Sequence, residues 1–115
     1  MNKLIERILS NFIVPVEFLR YDGDKDTYIT YMETSKDNSF SADNEMLAYV
    51  SYYDFDIYSK KNYLSVIEDL KKILINNGFI YEPSRDSSDM FEDDTGYYHK
   101  TLCFAIPVYL IEREE

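Results

Sequence analysis

"SYYDFDIYSKKNYLSVIEDLKK", residues 51–72, changes its repeat halfway along, and that change decides the fold. Odd positions Tyr49, Tyr53, Phe55 and Ile57 are mostly apolar, whereas even positions Val50, Tyr52, Asp54, Asp56 and Tyr58 mix rings with carboxylates. A two-residue period of this kind belongs to a strand with one dry face and one face that meets something else. From Tyr63 onward the apolar residues recur at three- and four-residue steps: Val66, Ile67, Leu70, Ile73 and Leu74. That spacing predicts an amphipathic helix of more than three turns. Asn62 is placed to cap its start, Glu68 and Asp69 precede Lys71 and Lys72 along the dipole, and Asn77-Gly78 supplies the stop.

Upstream, Leu4, Ile5, Ile8, Leu9 and Phe12 form one stripe, so residues 4–12 read as a short helix that Pro15 ends. "VPVEFLRY" (14–21) reads as a strand, "YDGDKD" (21–26) as a turn hinged on Gly23, and "TYITYME" (27–33) as a β-branched, aromatic strand. "TSKDNSFSADN" (34–44) has little to bury and reads as an exposed loop before a strand from about Met46 to Ser59. Downstream, "FIYEPS" is a short strand cut off by Pro83, and residues 84–96 are an acidic, turn-rich stretch anchored by Met90 and Phe91. In the final strand, 97–111, Tyr98, Leu102, Phe104, Ile106, Val108 and Leu110 face the core, interrupted by Lys100. Pro107 removes a ladder donor, so that strand is expected to lie at an edge there or to leave the sheet. The tail "EREE" reads as solvated. The order predicts an α+β two-layer sandwich, with a mostly antiparallel sheet of four to five strands and two helices on one face.

A chain of 115 residues holds one core, hence a single domain over 1–115. At 45% hydrophobic and 30% charged it is globular, not disordered. Its 22 acidic against 12 basic residues give a net charge of −10, which disfavours phosphate backbones and anionic membranes as partners. A lone cysteine, Cys103, and the lack of an apolar leader or long apolar run fit a reducing, cytosolic-type compartment.

The residues that tempt a chemical reading fall short of a site. Asp22, Asp24, Asp26 and Glu33 occupy calcium-loop positions 1, 3, 5 and 12, but Thr27 stands where the sharp turn needs glycine and a strand follows. An ordinary acidic turn is the competing reading. Asp54 and Asp56 share one strand face about 7 Å apart, a spacing seen in acid–base pairs, with nothing nearby to separate their pKa values. "DMFEDD" reads as a solvated charge cluster. His99 and Cys103 are about 13 Å apart along one strand, too far for a nucleophile and its base. No catalytic residue, cofactor site or metal site is expected. Twelve tyrosines and seven phenylalanines exceed what a small core holds easily, and Tyr52, Tyr58 and Tyr109 fall opposite the core faces. Tyrosine suits half-buried contact surfaces, and equally well replaces Leu or Val on half-exposed strands.

Several stretches together resemble the small tail-terminator (tail-completion) proteins of siphophages and prophages of low-GC Gram-positive bacteria. These are the N-terminal helix running into "VPVEF", then "YITYME", "FSADNEMLAYVSYYDFDIYSKKN", the helix "YLSVIEDLKKILINNGFIYE" and "MFEDDTGYYHKTLCFAIPV". The resemblance covers nearly the whole chain. "YDGDKD" departs from it, standing where relatives often have a proline-rich approach. It implies a non-enzymatic virion structural protein, assembled in the host cytoplasm as a homo-oligomeric, typically six-fold ring. Such a ring caps the tail tube and joins it to the head, with tube and head-completion proteins as partners. A ring needs contacts between unlike faces of neighbours, and Tyr52, Asp54, Asp56, Tyr58, Lys60 and Lys61 form a candidate subunit interface. The alternatives are an acidic inhibitor or DNA mimic, a head-completion (neck) protein and, more remotely, a small acidic enzyme or calcium-responsive module.

Overall fold

The computed structural model describes the backbone of residues 2–42 and 45–109 and the side chains of 2–37 and 48–109. The chain runs α1 (Asn2–Ile8), β1 (Val16–Phe18), β2 (Thr27–Ala42), β3 (Glu45–Ser59), α2 (Leu64–Asn76) and β4 (Ile80–Tyr81). A 3-10 turn at Pro83–Arg85, β5 (Met90–Glu92) and β6 (Tyr97–Tyr109) follow. The switch in sequence period is therefore the junction between β3 and α2. The strands lie in the order β1-β2-β3-β6-β4, with β5 also paired to β6. All pairs are antiparallel except β1 with β2. Because β3 and β4 both run antiparallel to β6, they are parallel to each other, and α2 is the crossover that parallel strands require.

One core joins the sheet to both helices. Odd residues of β3 (Tyr53, Phe55, Ile57) meet Ile29 and Tyr31 of β2, even residues of β6 (Leu102, Phe104, Ile106), and Val66, Ile67, Leu70 and Leu74 of α2. Ile5 and Leu9 bring in the N-terminal segment. Phe55 is fully buried at the centre, its ring 5.6 Å from Phe104, 5.7 Å from Tyr31 and 6.4 Å from Phe79. The helices thus cover one face, and the architecture is the expected two-layer α+β sandwich.

The end of α2 is a Schellman closure. Gly78 adopts φ +93°, its N–H reaches Ile75 O at 3.2 Å, and the Phe79 N–H reaches Leu74 O at 3.0 Å. The start is shifted by one residue from the expected cap. Tyr63 is the capping position, while Asn62 Oδ1 accepts the Leu64 N–H at 2.9 Å from just outside it.

Five expectations need correction. Residues 34–42 are not a loop. They continue β2 and pair with β3 between Glu45 and Tyr52 through irregular steps at Glu33/Ser35, Asn38/Phe40 and Phe40/Ser41. Backbone pairing satisfies the polar groups of the main chain whatever the side chains, so a shortage of apolar residues did not make this segment irregular. Asp43 and Asn44, the remainder of that expected loop, lie outside the described residues. The strands extend the molecule to 53 × 28 × 23 Å, with a radius of gyration of 15.8 Å; a compact domain of this length has about 13 Å. Second, the strand expected over 14–21 is only three residues long, because Leu19 turns to φ +65°. Third, Tyr98 is 43% exposed rather than core, since β5 and the chain around it form the end of the sheet there. Fourth, Met90 and Phe91 are exposed members of β5, not anchors. Fifth, the first helix stops at Ile8, and irregular turns carry the chain on to Phe12. Leu110, Ile111 and the acidic tail lie outside the described residues.

Pro107 sits where its missing N–H costs nothing. The odd residues Thr101 and Cys103 direct their N–H and C=O groups away from β3, toward Ser87, Asp86 and Glu82. Pro107 shares that parity, and β4 reaches only as far as Ala105. The edge expectation holds.

Candidate functional site

The sheet face opposite the helices has no second layer among the described residues, and the even residues of β3 lie at its centre. Register aligns three rows across three strands: Tyr28, Tyr58 and His99; Thr30, Asp56 and Thr101; Met32, Asp54 and Cys103. Tyr52 follows on β3, opposite Ala105. The structure therefore brings Tyr52, Asp54, Asp56 and Tyr58 together on one face, as the alternation in sequence requires. Lys60 and Lys61 lie just past the end of β3, with Lys60 Nζ 5.1 Å from the Tyr97 ring centre.

The first row is a continuous ring stack. Tyr21 lies 4.5 Å from Tyr28, Tyr28 5.0 Å from Tyr58, and Tyr58 4.2 Å from His99, with interplanar angles of 26°, 20° and 14°. Tyr97 meets Tyr28 edge-on at 5.8 Å. Gly23 permits this, since a Cβ there would run into the Tyr21 ring at 2.3 Å. Partial burial pushes the Tyr58 hydroxyl up to about 12, helped by the nearby Asp56 charge. A stack of this kind is stiff and amphipathic, with ring area to pack and hydroxyls to hydrogen-bond.

In the second row, Asp56 Oδ1 accepts the Thr101 hydroxyl at 2.5 Å and lies 3.1 Å from His99 Nε2. In the third, burial raises the Asp54 pKa, and the Asp56 charge adds to it, while Cys103 and Arg85 oppose the rise. Cys103 is 1% exposed, and burial followed by the Asp54 charge pushes its thiol up to about 11. Such a thiol stays protonated at neutral pH, the reverse of what activates a nucleophile. It is closed in by the segment after β4. Asp86 Oδ1 accepts the Cys103 N–H at 3.1 Å, and the Arg85 guanidinium sits 4.1 Å from the Tyr52 ring centre.

Two edges of the sheet are unpaired among the described residues. β1 pairs with β2 only at Ile29–Tyr31, so from Met32 onward no strand borders β2 on that side. On β6, Ile106–Val108 border only β3. An unpaired strand edge is a pairing template that isolated proteins usually block.

The acidic turn has no calcium-loop geometry. Asp22 pairs with Arg20 at 2.8 Å, and β2 carries Glu33 away to bond the buried Ser51 hydroxyl. Among the described residues no group of three or more His, Cys, Asp or Glu is disposed to hold a metal ion. No described helix is long and apolar enough to cross a membrane.

Tyr21, Tyr28, Tyr97 and Arg85 belong to this face but were not singled out from sequence, and His99, weighed there only against Cys103, belongs to it as well. The parity of Tyr28 in "TYITYME" was a usable signal. Arg85 had none, because its position depends on how the chain folds back after Pro83. No protein-family model matches the chain, and no curated protein matches it.

Proposed function

We propose that this protein is a tail terminator of a siphophage or prophage, a structural subunit that assembles as a homo-oligomeric ring, caps the tail tube and joins it to the head. Two lines support the reading: the sequence resemblance that spans nearly the whole chain, and a sheet with unpaired edge segments beside a face that no helix covers. The observation that carries most weight is the pairing of a tyrosine-rich face that no helix covers with sheet edges that no strand borders among the described residues, β2 beyond Tyr31 and β6 at Ile106–Val108, on opposite sides. Unlike edges on one subunit are what a heterologous, closing contact uses. On this reading Tyr52, Asp54, Asp56, Tyr58, Lys60 and Lys61 contact adjacent subunits, and the tube and head-completion proteins dock on the two faces of the ring. The protein acts by binding, without catalysis or cofactor, in the virion. Its acidity disfavours adhesion of passing DNA.

The test is tube growth. Polymerising the major tail tube protein of the same virus with this chain should halt elongation and leave short tubes with a capped end in electron micrographs. Unchanged tube lengths with bare ends would overturn the reading.

A further inference from the structure

We propose that the groove at the start of α2 seats residues 110–115 of a neighbouring copy. This inference rests on the ring reading and names one of its contacts. The groove has a volume of about 480 Å³ and is lined by Tyr63, Leu64 and Tyr98, with Lys60, Lys61 and Asp89 at its rim. Over the buried Tyr63, Leu64 is 62% exposed and Tyr98 43%, and the half-exposed Phe91 packs 4.8 Å from Tyr98. A contiguous apolar patch rimmed by charge marks a contact surface more often than scattered exposure does.

Charge selects the occupant. The one acid at the rim is already engaged, because Asp89 accepts the Tyr63 hydroxyl and lies 3.6 Å from Lys100 Nζ. With Lys100 offsetting Asp89, Lys60 and Lys61 give the lining a net positive charge on a chain of net charge −10, and Lys61 also borders Asp24 and Asp26. The positive end of the α2 dipole adds to this, with no acidic residue in the first turn. The matching segment is apolar, then acidic. Leu110 and Ile111 followed by Glu112, Arg113, Glu114 and Glu115 have that composition.

Reach decides whose segment it is. Tyr98 pairs with Ser59, at the groove end of β3, whereas Tyr109 pairs with Ala48, toward the other end. The eleven steps between Tyr98 and Tyr109 cover about 36 Å of strand. Six further residues, fully extended, span about 21 Å. Residues 110–115 cannot return to the groove of their own chain, so the contact links one end of a copy to the other end of the next. That is a head-to-tail contact of the kind that closes rings.

Cysteine cross-linking of the full chain tests this. Native Cys103, 1% exposed, stays out of the reaction. A mixture of Leu64→Cys chains and Ile111→Cys chains, oxidised with copper–phenanthroline, should give the mixed dimer well above a control pair of Ser84→Cys and Ile111→Cys. Adding Lys60→Glu and Lys61→Glu to the Leu64→Cys chain should lower the yield about tenfold, the scale of a few exposed charge pairs acting together. Adding Glu112→Lys, Glu114→Lys and Glu115→Lys to the partner chain should restore it. Thermal melts establish that each variant is folded. A mixed dimer no more abundant than the control, or one indifferent to both charge reversals, overturns the proposal. Sedimentation of the unmodified chain separates the two readings: rings without the mixed dimer sink the groove contact alone, whereas the lack of any larger species counts against the ring.

Discussion

Two substitutions three residues apart on β3 should have very different consequences, because they lie on opposite faces of the sheet. Phe55 is fully buried and its ring meets Tyr31, Phe79 and Phe104. Phe55→Ala removes those contacts and leaves a cavity between sheet and helix, at a cost of about 3–5 kcal/mol. For 115 residues the unfolding entropy is about 0.24 kcal/mol/K near the melting point, so Tm should fall by roughly 12–20 °C. Tyr52, on the open face, meets the Arg85 guanidinium at 4.1 Å, its one ring contact among the described residues. Losing an exposed cation–π contact costs about 0.5–1 kcal/mol, or roughly 2–4 °C. The assay is thermal unfolding by far-ultraviolet circular dichroism at one fixed protein concentration, since assembly makes Tm concentration-dependent. Tyr52→Ala should also reduce self-association while remaining folded. Equal losses of Tm from both substitutions, or a Phe55→Ala loss within a few degrees, would refute the assignment of the two faces.

Asp86→Ala should lower Tm by about 4–12 °C, because it removes the acceptor of the buried Cys103 N–H and of the Tyr81 hydroxyl, an effect on the order of 1–3 kcal/mol; hydrogen exchange at the Cys103 amide should accelerate with it. Gly78→Ala should cost about 1 kcal/mol, or roughly 4 °C, from the φ of +93° alone, since nothing lies within 4 Å of the added methyl; no change in Tm would argue against the Schellman closure. Tyr53 and Tyr58 are both pushed up to about 12, mainly by burial, from an unfolded value near 10. The folded state therefore holds more protons between pH 10 and 12. Stability should be full below pH 10 and fall as pH rises through that window, followed by melts alongside phenolate absorbance; stability flat to pH 12 would contradict the burial of both rings.

Much of this fold was legible because its core follows two clean periods. The alternation at Tyr53, Phe55 and Ile57 and the three-four spacing from Tyr63 to Leu74 fix the faces of β3 and α2, and the sheet and helices assemble around them. The open face was legible for the same reason, since Tyr52, Asp54, Asp56 and Tyr58 share one parity. The extension of β2 through Thr34 to Ala42 was not, because ladder pairing there rests on backbone groups that every residue carries. Nor was the stack from Tyr21 to His99, which depends on the register of β2, β3 and β6. Tyr98 was misplaced because parity says which side a residue faces but not where the opposing layer stops.

Native mass spectrometry of the full chain, alone and with its tail tube protein, tests most directly whether the open face and free edges hold neighbouring subunits. A closed assembly at six times the 13.7 kDa of one chain, lost with Tyr52→Ala while the fold persists, is the expected result. A single-chain mass under both conditions would contradict it.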